Sequence, residues 1–113
     1  MAAFADAGRG VGILLRTQPH ARIHALATLC VLGLGYWLKL SAADWVALVI
    51  AMALVWVSEA INTALEAVVD LASPEFHPLA GKAKDVAAGA VLLASVAAAL
   101  IGALVLVPAW LAR

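Results

Sequence analysis

Once the ionisable residues are marked, three long apolar stretches divide the chain. The first, Ala25 to Leu38, lies between His24 and Lys39 and reaches bilayer-crossing length when Ile23 and the turn after Leu38 are counted. The second, Trp45 to Leu71, is interrupted by Glu59, Asn62, Glu66 and Asp70, whereas the third, Val86 to Ala112, carries no charge and is the clearest span. In hydrocarbon the backbone must satisfy its own hydrogen bonds, and stretches of about 20 residues rich in Leu, Ala and Val do so as helices. The pattern predicts one all-α membrane domain with transmembrane helices over 23–40, 45–71 and 86–112. A tight polar connection, Lys39 to Asp44, joins the first two. The segment 72–85 contains Pro74, Pro78 and Gly81 and is expected to be the one substantial loop. Residues 1–22 are expected to form an amino-terminal surface segment with a short helix. Within it Phe4, Val11 and Leu15 share a face that lies on the membrane, with Arg9 and Arg16 turned to water, although Gly8, Gly10 and Gly12 weaken such a helix.

Composition agrees with this reading. Of 113 residues, 66% are hydrophobic and 12% charged, against roughly half and about a quarter in an ordinary soluble domain. A soluble fold of this size leaves too much surface exposed to hide that many apolar side chains, and a bilayer removes the difficulty. The formal net charge is zero, so no global basic field points to nucleic acid. The single cysteine, Cys30, lies in an apolar run and reads as a small apolar filler. Met1 to Gly10 lacks a basic leader region, and the run Val11 to Leu15 is closed by Arg16, so a cleaved signal is not expected.

Basic residues beside the spans set the expected orientation. Arg9, Arg16 and Arg22 precede the first span and Lys82 and Lys84 lie between the second and third, whereas only Lys39 and Arg113 fall on the other side. The amino terminus and the 72–85 segment are therefore expected in the cytoplasm. Tyr36, Trp37, Trp45 and Trp110 then gather at the outer interface, where amphipathic rings prefer to sit.

The second span carries the chemistry. Glu59, Asn62, Glu66 and Asp70 are three, four and four residues apart, which at about 100° per residue places them on one quarter of the helix surface. An aspartate at the centre of a membrane helix costs about 2.5 to 3.5 kcal/mol, and a glutamate should cost a comparable amount, so the row must face protein, water or a cation. Lys82 and Lys84 cannot pair with every carboxylate of Glu59, Glu66, Asp70 and Asp85. A divalent cation is the natural complement, and Asp, Glu and Asn oxygens suit Mg²⁺ or Mn²⁺, with Mg²⁺ usually arriving on phosphates. Asn62 alone would also serve as an interhelical hydrogen-bonding residue. Small residues from Val86 to Ala90 let the third span approach its neighbour and bring Lys84 to the mouth of the row, where an ammonium can hold a phosphate. Lys82 reads as a topological charge, and His20 and His24 as interfacial residues. Gly81-Lys82 is followed by Ala83 and Phe76 stands where a P-loop would have glycine, so no phosphate-cradling loop of that kind exists.

The stretch Glu59-Ala-Ile-Asn62-Thr-Ala-Leu-Glu66-Ala-Val-Val-Asp70, with Ser73-Pro-Glu-Phe-His77-Pro and Lys84-Asp85-Val-Ala-Ala-Gly-Ala-Val91 after it, closely resembles the prokaryotic diacylglycerol kinase family, which includes undecaprenol kinases. The resemblance covers nearly the whole chain and is weaker before Arg22. It implies a bacterial inner-membrane homotrimer of three-helix protomers, with ATP-dependent active sites shared between protomers at the cytoplasmic surface. Matched by residue, Glu59 resembles the catalytic base and Glu66 a metal ligand. Asn62, Lys84 and Asp85 match positions lining the ATP phosphates, and Glu75, Phe76 and His77 a segment near the nucleotide. A glutamate that often supplies a second metal ligand is replaced by Gln18, whose neutral carbonyl is a weaker Mg²⁺ ligand, and Gln18 or a nearby histidine is expected to complete the site. The expected function is phosphorylation of a membrane lipid alcohol, undecaprenol or diacylglycerol, with the wording Ala-Arg-Ile-His and Ser-Pro-Glu-Phe-His-Pro nearer the undecaprenol branch. The alternative is a non-catalytic membrane protein whose carboxylates bind an ion or relay protons.

Overall fold

A computed structural model describes residues 2–113. It consists of four helices, α1 (Ala2–Thr17), α2 (Pro19–Leu38), α3 (Ala42–Ala72) and α4 (Pro78–Ala112), in a molecule of 55 × 35 × 21 Å. Three of them, α2, α3 and α4, are long and apolar enough to cross a membrane.

Local chemistry explains each boundary. Gln18 precedes a proline and is held extended, with φ −112° and ψ 109°, so the chain breaks there and Pro19 opens α2 at a position where its missing N–H is no loss. Arg22 reaches back across this break. Its Nε donates to the Leu15 carbonyl at 3.0 Å and its Nη2 to the Arg16 carbonyl at 2.6 Å, satisfying acceptors that the end of α1 leaves free. Lys39 closes α2 in the left-handed conformation, φ 55°, and the next N–H, from Leu40, donates to the Gly35 carbonyl at 3.3 Å. Ser41 caps α3 by accepting from the Asp44 N–H at 3.2 Å.

The expected 72–85 loop is much shorter than its prolines suggested. Only Ser73–His77 leaves helical geometry. Pro78 occupies the first turn of α4, where proline starts a helix rather than breaking it, and His77 caps that turn by accepting from the Leu79 N–H through Nδ1 at 3.1 Å. The polar stretch from Pro78 to Asp85 thus forms the first two turns of α4, and Lys84 and Asp85 are helical residues. The amino-terminal helix is present as α1, and α2 begins at Pro19, four residues ahead of the expected 23.

Packing is concentrated between α3 and α4, which run antiparallel, and α2 touches both much more sparsely. Leu48, Ala51, Val55 and Glu59 form the buried stripe of α3, and Ala87 and Ala94 are the buried residues of α4; small alanines permit close approach. Most large apolar side chains face outward instead, among them Leu29, Leu92, Leu93 and Leu104, as expected of helices whose solvent is lipid. At the end remote from the Ser73–His77 turn, Trp37 and Trp110 rings lie 5.7 Å apart. The Arg113 guanidinium stacks 4.1 Å from the Trp110 ring, and Trp45 lies against Gly35 at the same end.

Candidate active site

The acidic face of α3 resolves into three environments along the helix. Deepest is Glu59, 8% exposed and the one buried charged side chain among the described residues. It does not stand alone. Its Oε1 lies 3.1 Å from Nε2 of His24 on α2, a residue the sequence suggested for the interface or for the metal site. Above it, Asn62 Nδ2 donates to Glu66 Oε1 at 3.4 Å within the half-buried part of the face. The other side of that amide, Oδ1, is buried without a hydrogen-bonding partner. Outermost is the exposed Asp70, whose carboxylate pairs with the Lys84 ammonium from the polar opening turns of α4. The hydrogen bond from Lys84 to Asp70 raises the lysine pKa above its ordinary 10.5, so the ammonium stays charged at any physiological pH.

Around this ion pair the turn between α3 and α4 encloses an open polar hollow of about 300 Å³, lined by Asp70, Glu75, Phe76, His77 and Lys84 among others. Four of the residues expected near a nucleotide therefore come together. The turn is ordered by its own bonds, with Ser73 Oγ donating to the Glu75 carbonyl at 3.0 Å. Phe76 is 92% exposed and presents an open ring face. Asp85 is exposed on α4 and does not line the hollow. Gln18 is half-buried at the α1–α2 break, and its amide nitrogen reaches only the Thr17 hydroxyl, at 3.5 Å. On the membrane side, a second and almost wholly apolar groove of about 260 Å³ runs between α2, α3 and α4, with His24, Thr28, Leu48, Trp56 and Gly102 among its walls.

The donor set is compatible with Mg²⁺ that arrives on phosphates. No three His, Cys, Asp or Glu side chains converge on one position among the described residues, so a cage of the zinc or calcium type is absent there. Mg²⁺ keeps several waters and needs only one or two carboxylates beside phosphate oxygens. Glu66 and the orphaned carbonyl oxygen of Asn62 offer one carboxylate and one neutral oxygen on adjacent turns of α3. A carbonyl left unpaired inside a protein calls for a partner, and a hydrated cation would supply one.

Two features were missed in the sequence. Asp70 was read as part of the acidic row, and its pairing with Lys84 across 14 residues becomes visible only when the turn is known to be short. The pairing of His24 with Glu59, 35 residues apart, leaves no signal in the sequence, because it depends on the rotation and depth of two separate helices.

Comparison with known proteins gives a consistent result. A family model described as prokaryotic diacylglycerol kinase matches residues 5–106. The undecaprenol kinase of Bacillus subtilis (strain 168) is 39% identical over 105 residues, covering 93% of this chain and 85% of that protein. A diacylglycerol kinase of Synechocystis is 41% identical over 109 residues, 96% of this chain and 62% of the relative. One from Escherichia coli (strain K12) is 39% identical over 77 residues, 68% of this chain and 63% of that protein. The chain thus spans most of the first relative and under two thirds of the other two.

Proposed function

The chain belongs to the prokaryotic diacylglycerol kinase family and is a lipid kinase, and on that premise we propose that it transfers the γ-phosphoryl group of ATP to the hydroxyl of a membrane lipid alcohol at the cytoplasmic face of a bacterial inner membrane. Glu59 is the base in this reading. It is a buried carboxylate of the polar row of α3, in contact with His24, which lines the apolar groove, and that position is the observation that carries the proposal. A hydroxyl brought along the groove meets a proton acceptor before it meets water. As its proton passes to Glu59, the oxygen bonds to the γ-phosphorus and ADP departs with the electron pair of the broken bond. Such a transfer requires alignment and charge neutralisation more than covalent participation by the protein.

The remaining residues follow from their positions. Lys84, fixed by Asp70, holds phosphate oxygens as a point charge. Glu75, Phe76 and His77 border the hollow that would receive the rest of the nucleotide, whereas Asn62 and Asp85 lie outside it and are assigned to the phosphates by the family resemblance alone. Glu66 and Asn62, with Gln18 in place of a second carboxylate, would hold Mg²⁺, which when bound neutralises charge on the transferring phosphate. Undecaprenol is the favoured acceptor over diacylglycerol, because the relative covered along most of its length bears the name undecaprenol kinase. The wide apolar exteriors of α2 and α4 and the alanine-lined face of α4 suit assembly as a homotrimer.

The test is transfer from labelled ATP to undecaprenol and to diacylglycerol, offered separately to purified protein in micelles. Glu59→Gln keeps the shape of the side chain and removes its basicity. It should lower kcat by about 100-fold or more with the oligomer unchanged in size-exclusion chromatography, and full activity in this variant would exclude Glu59 as the base.

A further inference from the structure

The carboxylate that takes the proton in this reading is gripped from a different helix. Glu59 Oε1 and His24 Nε2 lie 3.1 Å apart, with side chains 10% and 25% exposed. A carboxylate that is to act as a base has no hydrogen to give, so in that role of Glu59 the ring nitrogen must be the donor, with the imidazole proton on Nε2. We propose that His24 is a positioning residue for phosphoryl transfer, holding Glu59 by Oε1 so that Oε2 is left to receive the proton of the lipid hydroxyl. The inference rests on the assignment of Glu59 as the base.

Three observations support it. First, Glu59 has no other side-chain hydrogen bond. The Thr63 hydroxyl donates to its backbone carbonyl at 2.9 Å, and Lys84 is engaged by Asp70. A carboxylate rotating freely about its last torsions would present either oxygen in many directions, and a single fixed donor removes that freedom before substrate arrives. Second, the imidazole itself is braced. α2 meets α3 sparsely, yet one turn further along the same contact the Trp56 Nε1–H donates to the Thr28 hydroxyl at 3.0 Å. Thr28 follows His24 by four residues and Trp56 precedes Glu59 by three, so the two polar bridges are stacked on facing surfaces of antiparallel helices. In an apolar medium such paired groups have few competing partners. Third, His24 also lines the apolar groove between α2, α3 and α4. The ring therefore stands where the groove ends and the carboxylate begins. His24 neither gives up nor gains a proton in the step; the O–H bond of the alcohol breaks toward Glu59 Oε2 as described above.

The experiment uses the whole protein in micelles with Mg²⁺, labelled ATP, and undecaprenol or dioleoylglycerol as acceptor. His24→Leu removes the donor and should lower kcat about 10- to 100-fold, in the range seen when groups orienting a functional side chain are removed, with the KM for ATP changed by less than about twofold. His24→Gln, whose terminal amide reaches as far as Nε2, should recover most of kcat. The shorter His24→Asn should not. A wild-type kcat in His24→Leu overturns the proposal, and so do equal kcat values in the Gln and Asn variants. Should the leucine variant fail to assemble, the comparison of Gln with Asn carries the test by itself. Glu59→Gln, assayed in parallel, separates two kinds of failure. Full activity there removes the assignment of the base, whereas an inactive Glu59→Gln beside a fully active His24→Leu removes only the role of His24.

Discussion

Two glycines of α2, Gly33 and Gly35, provide a measurement of how tightly its outer end is docked. Replacing either by alanine should favour the helix by about 1 kcal/mol, the usual difference in propensity. Their surroundings differ. A Cβ at Gly33 meets nothing within 4 Å, whereas one at Gly35 would lie 2.7 and 2.9 Å from ring carbons of Trp45 and 3.1 Å from Leu40 Cδ1. Carbon atoms in contact prefer about 3.5–4.0 Å, so the indole would have to retreat by roughly 0.5–1 Å. The main chain beneath the ring is fixed, since the Trp45 backbone N–H donates to the Ser41 carbonyl at 3.0 Å in the first turn of α3, so only rotation of the side chain could make room. Inserting a methyl group into such a contact costs about 1–3 kcal/mol. The balance is a gain of about 1 kcal/mol for Gly33→Ala and a loss of about 0–2 kcal/mol for Gly35→Ala. Equilibrium unfolding by SDS titration of the protein in mixed micelles would measure both. Equal shifts of the same sign would refute the close packing of α2 on Trp45. Gly35 is about 16 Å along the helix from His24, so the folded fraction of Gly35→Ala should retain its kcat.

Lys84→Met should raise the KM for ATP about 10- to 100-fold, the equivalent of one charge-assisted hydrogen bond to phosphate, and steady-state kinetics at saturating lipid will show it. Gln18→Glu would add a carboxylate to the metal site and is expected to lower the Mg²⁺ concentration for half-maximal activity several-fold; an unchanged Mg²⁺ titration would remove Gln18 from that site. Lys39→Gly should stabilise the protein by up to about 1 kcal/mol, because Lys39 holds a left-handed backbone that glycine adopts without penalty, and a higher thermal midpoint is the readout.

The spans were legible in the sequence because hydrocarbon disfavours charge over about 20 positions, and the few carboxylates inside the second span stand out against that background. The ends of the spans were less legible, since prolines are ambiguous punctuation. Pro74 lies in a genuine turn, and Pro78 opens a helix, yet both read as loop residues until the cap at His77 is seen. The row from Glu59 to Asp70 could be placed on one helix face from spacing alone. Its division could not. Whether a carboxylate meets His24, Asn62 or Lys84 depends on the rotation and depth of two other helices, and no period in the sequence encodes those. Likewise nothing in the apolar run around Gly35 marks it as a contact, although Trp45 can lie against α2 only because no side chain is there.

The spacing of the three carboxylates answers a difficulty that every kinase of this kind faces, because one substrate is confined to lipid and the other to water. On the proposed orientation, with Trp45 at the outer interface, a rise of about 1.5 Å per residue would put Glu59 about 21 Å in, Glu66 about 32 Å in and Asp70 about 38 Å in. The hydrocarbon is about 30 Å thick. On that orientation Glu59 would lie roughly 9 Å inside the inner boundary, Glu66 at it and Asp70 beyond it. A base at the depth of Asp70 would be hydrated and out of reach of an alcohol anchored among acyl chains. One a turn or two deeper than Glu59 could not meet a phosphate without drawing its charge into hydrocarbon. The position of Glu59 satisfies both demands only if the carboxylate is kept from seeking water itself, and within this chain the group that engages it at that depth is His24.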